Sequence, residues 1–247
     1  MPGIHVRFFV METLPAGLGL AFGLTTALTV GLFSHAAQES RRTGLVLLAL
    51  LLVQAALGLS GFFRVPDTRP PRLILLLGPP LLVIIALFNT MVGRRFLDSL
   101  RLQALTLLHI VRIPVELVLF GLFLHRGVPK LMTFEGRNWD ILAGLTAPVV
   151  WYFAFHGRQL GRRGLLLWNV LCLVSLLNIV ANAVLSAPSP FQQFAFEQPN
   201  VAIQQFPYVW LPGCVVPVVL LAHLAAMRHL LTDAKKPAAV GSVATMV

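Results

Sequence analysis

Charge is scarce in this chain: 11% of its 247 residues are charged, against roughly 25% in a soluble domain. So few charges cannot cover the surface of a soluble fold of this length, which excludes that class. Lysine is scarcer still, limited to Lys130, Lys235 and Lys236. The two cysteines, Cys172 and Cys214, both fall in apolar runs and differ by about 13 Å in depth along their helices. No disulfide spans that, so they read as small packing residues, and a cysteine metal site has no support. No HExxH or comparable metal-ligand spacing occurs. No platform of interleaved basic and aromatic residues occurs either. The net charge of +10 is dispersed over short loops, which argues against nucleic acid as a partner and for the headgroups of a lipid bilayer. The opening MPGIHVRFFVMETLPAG lacks a small-residue cleavage site after a short apolar run, so a retained first helix is expected rather than a signal peptide.

What the chain has in abundance is apolar sequence, 57% of the residues, in blocks of roughly 20, the length that crosses a hydrocarbon layer. Seven spans are predicted: Leu14 to Ser34, Gly44 to Phe63, Leu73 to Val92, Gln103 to His125, Trp139 to His156, Leu165 to Ser186 and Tyr208 to Leu231. The expected fold is all-α, a polytopic bundle of seven transmembrane helices forming one domain over residues 1–231. A polar, small-residue tail, Thr232 to Val247, is expected to be disordered. One side of the bundle holds seven basic residues: Arg7, Arg64, Arg69, Arg72, Arg126, Lys130 and Arg137. The other holds eleven: Arg41, Arg42, Arg94, Arg95, Arg101, Arg158, Arg162, Arg163, Arg228, Lys235 and Lys236. The richer side is predicted to be cytoplasmic, with the N-terminus outside. Compact loops fit a bacterial plasma membrane. Trp139, Tyr208 and Trp210 then mark the outer interface, and Trp168 and Tyr152 the inner one. Pro79, Pro80, Pro114, Pro148, Pro212 and Pro217 lie inside spans, each removing an amide donor and leaving a carbonyl for a neighbour to satisfy.

The fourth span carries the strongest chemical signal. His109, Arg112 and Glu116 follow i, i+3, i+7 spacing, which places them on one helix face, and Arg112 and Glu116 can pair directly. A charge at that depth costs at least about 2.5 kcal/mol on insertion scales, so these groups face protein or water. Ser175, Asn178 and Asn182 repeat the spacing in the sixth span, and Gln54 lies in the same layer. The predicted ligand-binding cluster is Gln54, His109, Arg112, Glu116, Ser175, Asn178 and Asn182, with Arg112 as anchor and Glu116 as counter-ion or proton carrier. The competing reading is a neutralised ion pair with Asn and Ser hydrogen bonds joining helices.

A second polar set is expected on the outer face: Glu135, Arg137, Asn138, Asp140 and, in a long loop rich in Phe and Gln, Glu197. Asn138 suits the cap of the helix that follows it, and the long loop suits interfacial packing. His109 and His223 come to similar depth on different helices, a minimal pattern for a bis-histidine haem. Seven helices with an outside N-terminus also look like the rhodopsins, which carry retinal on a lysine of the seventh helix; no lysine lies in any span here, which excludes a retinal Schiff base. The resulting expectation is a membrane protein that binds or transports a small polar, anionic or amphipathic ligand inside the bundle. A membrane-embedded enzyme or redox protein using haem or quinone, and a structural or partner-binding subunit, are the alternatives.

Overall fold

The computed structural model describes residues 14–64 and 72–232. The predicted tail beyond Thr232 and the segment ahead of Leu14 lie outside the described residues. All regular structure among them is helical: α1 (Ala16–Ala36), α2 (Ser40–Leu59), α3 (Arg72–Asn89), α4 (Met91–Ser99), α5 (Leu102–Leu108), α6 (Arg112–Leu124), α7 (Asp140–Trp151), α8 (Arg162–Ser186) and α9 (Val216–Thr232), with short 3₁₀ and π segments between some of them. Six helical stretches are long and apolar enough to cross a membrane: α1, α2, α3, Leu102–Leu124, α8 and Leu211–Thr232. Leucines such as Leu20, Leu24, Leu52, Leu82, Leu171 and Leu177 stand exposed on the outside. An apolar exterior over a partly polar interior is the arrangement a lipid-embedded bundle requires.

The central element is α9 with the π segment Leu211–Val215 that leads into it. In its apolar window 61% of residues are buried, against 17% to 28% in α1, α2, α3 and α8. Around it stand α1, α2, α3, α5 and α8, and α7 packs outside α5, α6 and α8. α1 faces its neighbours with Thr25, Thr26 and Thr29, whose hydroxyls donate to the carbonyls of Ala21, Phe22 and Thr25. Threonines satisfied within their own helix allow close packing without an orphaned hydroxyl.

Proline shapes the interior as the sequence leads one to expect. Pro217 has no amide to return to the carbonyl of Gly213 four residues earlier. Gln54 of α2 supplies the missing donor, its Nε2 lying 2.8 Å from that carbonyl. The contact requires glycine, since a Cβ at position 213 would lie 2.6 Å from the Gln54 amide. In the predicted fourth span, Pro114 accompanies a break of the helix into α5, a 3₁₀ turn over His109–Val111, and α6.

Two features depart from the expected simple hairpins. The predicted third span ends at Asn89, and the chain turns sharply into α4, capped by Thr90, whose hydroxyl accepts from Gly93 N at 3.1 Å. α4 buries Gly93 and Leu97 and leaves Met91, Val92, Arg94 and Arg95 exposed. It is tied to α9 by Arg228, which donates to both carboxylate oxygens of Asp98. At the other end of the bundle, α6 closes with Arg126 in the left-handed region (φ 59°). The amides of Arg126 and Gly127 bond back to the carbonyls of Phe123 and Leu122, a Schellman closure. The chain then dips back into the bundle, burying Val128, Met132 and Thr133. As a result α7 begins below the end of α6. Gly144 of α7 packs on Ile113 and Arg112 so tightly that a Cβ there would meet Ile113 Cγ1 at 2.8 Å. One turn back, Asp140 lies level with Glu116 and Leu117, about 10 Å below Leu124 at 1.5 Å rise per residue.

Candidate functional site

That descent brings the two polar sets of the sequence together. Arg112 of α6 donates from Nη2 to Asp140 Oδ2 at 2.8 Å and from Nε to the same oxygen at 3.2 Å. Its guanidinium also reaches the carbonyl of Cys172 at 3.2 Å and His223 Nε2 at 3.3 Å. The ion pair is buried on both sides. Arg112 therefore pairs with the acid that heads α7, not with Glu116 four residues away on its own helix. The 3₁₀ turn before α6 and the close α6–α7 approach at Gly144 are what bring Asp140 within reach.

The remaining bonds fix proton positions. Ser175 donates to Asp140 Oδ1 at 2.7 Å. Arginine can only donate, so His223 Nε2 accepts and its proton sits on Nδ1, directed at Asn169 Oδ1 3.0 Å away. Asn169 in turn donates from Nδ2 to the carbonyl of Leu165. His223 is thus a neutral imidazole with a defined tautomer. On the other side of Asp140, Asn138 accepts from the Asp140 amide through Oδ1 at 3.1 Å. Its Nδ2 donates to Glu116 Oε1 and to the carbonyl of Met132. A continuous buried chain runs Glu116, Asn138, Asp140, Arg112, His223, Asn169.

Glu116, at one end of this chain, and His109, packed against it, have atoms without partners. Glu116 Oε2 meets no donor, and neither ring nitrogen of His109 meets a partner. His109 stacks on His223, ring centroids 3.8 Å apart and planes 16° off parallel, with Trp168 edge-on at 5.5 Å. This geometry does not fit the bis-histidine haem. Two axial ligands point nitrogens at one iron from opposite faces of a porphyrin, whereas these rings lie face to face with no room for a macrocycle, and both His223 nitrogens are already bonded. Similar depth along two helices cannot distinguish stacking from ligation. Among the described residues no other cluster of His, Cys, Asp or Glu suits a metal.

Glu116 opens onto a cavity with a free volume of about 70 Å³ between α3, α6, α8 and the start of α9. Leu73, Leu77, Leu119, Ile179, Val180 and Pro212 form part of its aliphatic wall, and Glu116, Asn138 and Asp140 give it one polar end. The space exceeds that of a single water many-fold.

The other predicted residues lie elsewhere. Gln54 serves the Gly213 carbonyl. Asn182 is buried and donates to Asn178, which is itself exposed and donates to the carbonyl of Arg137 at 3.0 Å. Arg137 lies over the Phe194 ring, Glu135 is an exposed partner of Lys130 at 3.7 Å, and Glu197 is exposed in the long loop. Of the outer set, only Asn138 and Asp140 enter the site. Asn169 was not anticipated. Its signal was available in the inward face of α8, which runs Leu165, Asn169, Cys172, Leu176, Ile179, Asn182, Ser186. Its steps are all of three or four residues, the helical repeat, and Ser175 and Asn178 stand at its shoulder.

Comparison with known families matches residues 70–231 to a domain of unknown function, DUF8737. The chain belongs to this family. The matched region of DUF8737 runs from the start of α3 to the end of α9 and contains the whole chain from Glu116 to Asn169, while α1 and α2 with Gln54 precede it. No curated protein matches the sequence, and no solved structure does.

Proposed function

We propose that this protein is a seven-span membrane protein, N-terminus outside, that binds an amphipathic small molecule. The ligand's hydrogen-donating head would meet Glu116, and its apolar body would fill the adjoining cavity. The seventh crossing would be Asp140–His156, α7 and the π segment that continues it. What carries the reading is the Glu116 carboxyl: buried, held by Asn138 through one oxygen, without a partner at the other, and set in the wall of the aliphatic cavity. An unmatched buried acceptor beside an apolar cavity favours a ligand that donates a hydrogen bond, because leaving such an atom bare costs roughly 1–3 kcal/mol. Arg112 already has Asp140, Cys172 and His223 as partners, which argues against an anion anchored there. With one guanidinium, two carboxyls and a neutral His223, the cluster would favour a hydroxyl, amide or ammonium head over a carboxylate or phosphate.

Native mass spectrometry of the detergent-purified protein, with bound species released and identified, is the test. A donor-bearing amphiphile present in the wild type and lost in Glu116→Gln, at unchanged thermal stability, is the expected result. Retention of the same species by Glu116→Gln, or an anionic ligand bound in the wild type and kept in Glu116→Gln, would overturn the reading.

A further inference from the structure

At the end of the bundle opposite Glu116, α1 finishes and α5 begins. The amide of Arg101 donates to the carbonyl of Ala36 at 2.9 Å, which sets Arg101 beside His35 on one rim. Below them opens a recess of about 530 Å³ whose walls include Leu32, Leu107, Trp151 and Phe155, with Gln103 also on its lining. Arg101 and His35 are exposed and neither is paired with a carboxylate among the described residues. The carboxylates nearest in sequence are already engaged, Glu39 by Arg42 at 2.8 Å and Asp98 by Arg228 at 2.7 Å. The recess therefore combines uncompensated positive charge at its mouth with an aromatic and aliphatic interior, at a helix-end level where headgroups meet acyl chains.

We propose that this recess is a binding site for an anionic glycerophospholipid, its phosphate on the Arg101 guanidinium and its upper acyl chain against Trp151 and Phe155. Guanidinium groups form strong, charge-assisted, often bidentate bonds to phosphate oxygens, and basic pockets between transmembrane helices suit anionic headgroups. The apolar wall selects a lipid over a free anion: inorganic phosphate would satisfy Arg101 and leave the interior unfilled. This site is separate from the Glu116 cavity and independent of the reading given for it.

Trp151 offers a direct report. The full-length protein is reconstituted in phosphatidylcholine nanodiscs containing brominated phosphatidylglycerol or, at equal mole fraction, brominated phosphatidylcholine. The Trp151 contribution is taken as the difference from Trp151→Phe. The expected result is stronger quenching of Trp151 by the anionic probe. That excess should be lost in Arg101→Gln, largely kept in Arg101→Lys, unchanged in Glu116→Gln and insensitive to added inorganic phosphate. Equal quenching by the two probes, an excess that survives Arg101→Gln, or displacement by inorganic phosphate would overturn the proposal.

Discussion

At the scale of single residues, the buried chain turns on Arg112. Its guanidinium neutralises Asp140, fixes the His223 tautomer and holds the Cys172 carbonyl, so its removal leaves Asp140 Oδ2 and His223 Nε2 without donors. Breaking a buried pair from one side typically costs about 3–5 kcal/mol, whereas replacing both partners by apolar groups is often neutral. Arg112→Leu is therefore expected to lower the thermal unfolding midpoint in detergent sharply. Arg112→Leu combined with Asp140→Leu is expected to recover most of the loss. Equal destabilisation in the single and double variants would show that the pair is not the unit. The sequence identified Arg112, Glu116 and His109 as one helix face but not the partner of Arg112. Arg112 and Glu116 do stand one turn apart on the unbroken α6, but spacing along one helix cannot name a partner supplied by another. No periodicity reveals that a loop will fold inward and deliver Asp140 to the same level.

At the scale of helices, the interior contains a repair that can be taken apart. Pro217 deprives the Gly213 carbonyl of its helical donor and Gln54 replaces it from α2. Gln54→Leu is expected to destabilise the bundle by about 1–3 kcal/mol, the penalty for an unsatisfied buried acceptor. Adding Pro217→Ala restores a backbone amide, so the double variant should regain stability that Gln54→Leu loses; additive losses by thermal unfolding would refute the link. This interplay was only half legible. Proline inside a span announces an orphaned carbonyl, and a lone Gln in an apolar run announces a donor in need of a partner. Their meeting depends on the packing of α2 against the segment leading into α9. α4 was illegible as a separate helix because only Asn89 and Thr90 interrupt the apolar run of α3 before it resumes at Met91 and Val92. Only the Thr90 cap marks the corner.

At the scale of the whole molecule, α4 is attached to the bundle by a surface ion pair whose strength varies with pH. The Arg228 hydrogen bond holds the Asp98 carboxyl below its ordinary range. A depressed carboxylate contributes stability that is present above its unfolded value near 3.9 and lost as pH falls through the lower folded value. Both side chains are partly exposed, 49% for Asp98 and 23% for Arg228, so solvent limits the contribution to about 0.2–1 kcal/mol. The expected observation is a modest loosening of α4 in strongly acidic buffer, at most a several-fold rise in hydrogen exchange over residues 91–99, with no change between pH 6 and 8. Asp98→Asn should remove that acid dependence. Six of the seven predicted crossings correspond to helices long and apolar enough to span, because length and hydropathy are properties of the segment itself. The remaining one, Trp139 to His156, is met by the short α7 and the π segment after it, which begin with a buried acid, Asp140, and owe their position to Gly144 and Arg112. That has a consequence for how the protein is made. A segment headed by Asp140 is a poor candidate to leave the translocation machinery alone, since an aspartate costs roughly 2.5–3.5 kcal/mol in mid-bilayer. It becomes acceptable to lipid once Arg112, synthesised earlier, stands beside it. With α7 as the seventh crossing proposed above, its integration should therefore wait for α6, the two entering as a hairpin whose charges cancel before either is exposed to hydrocarbon.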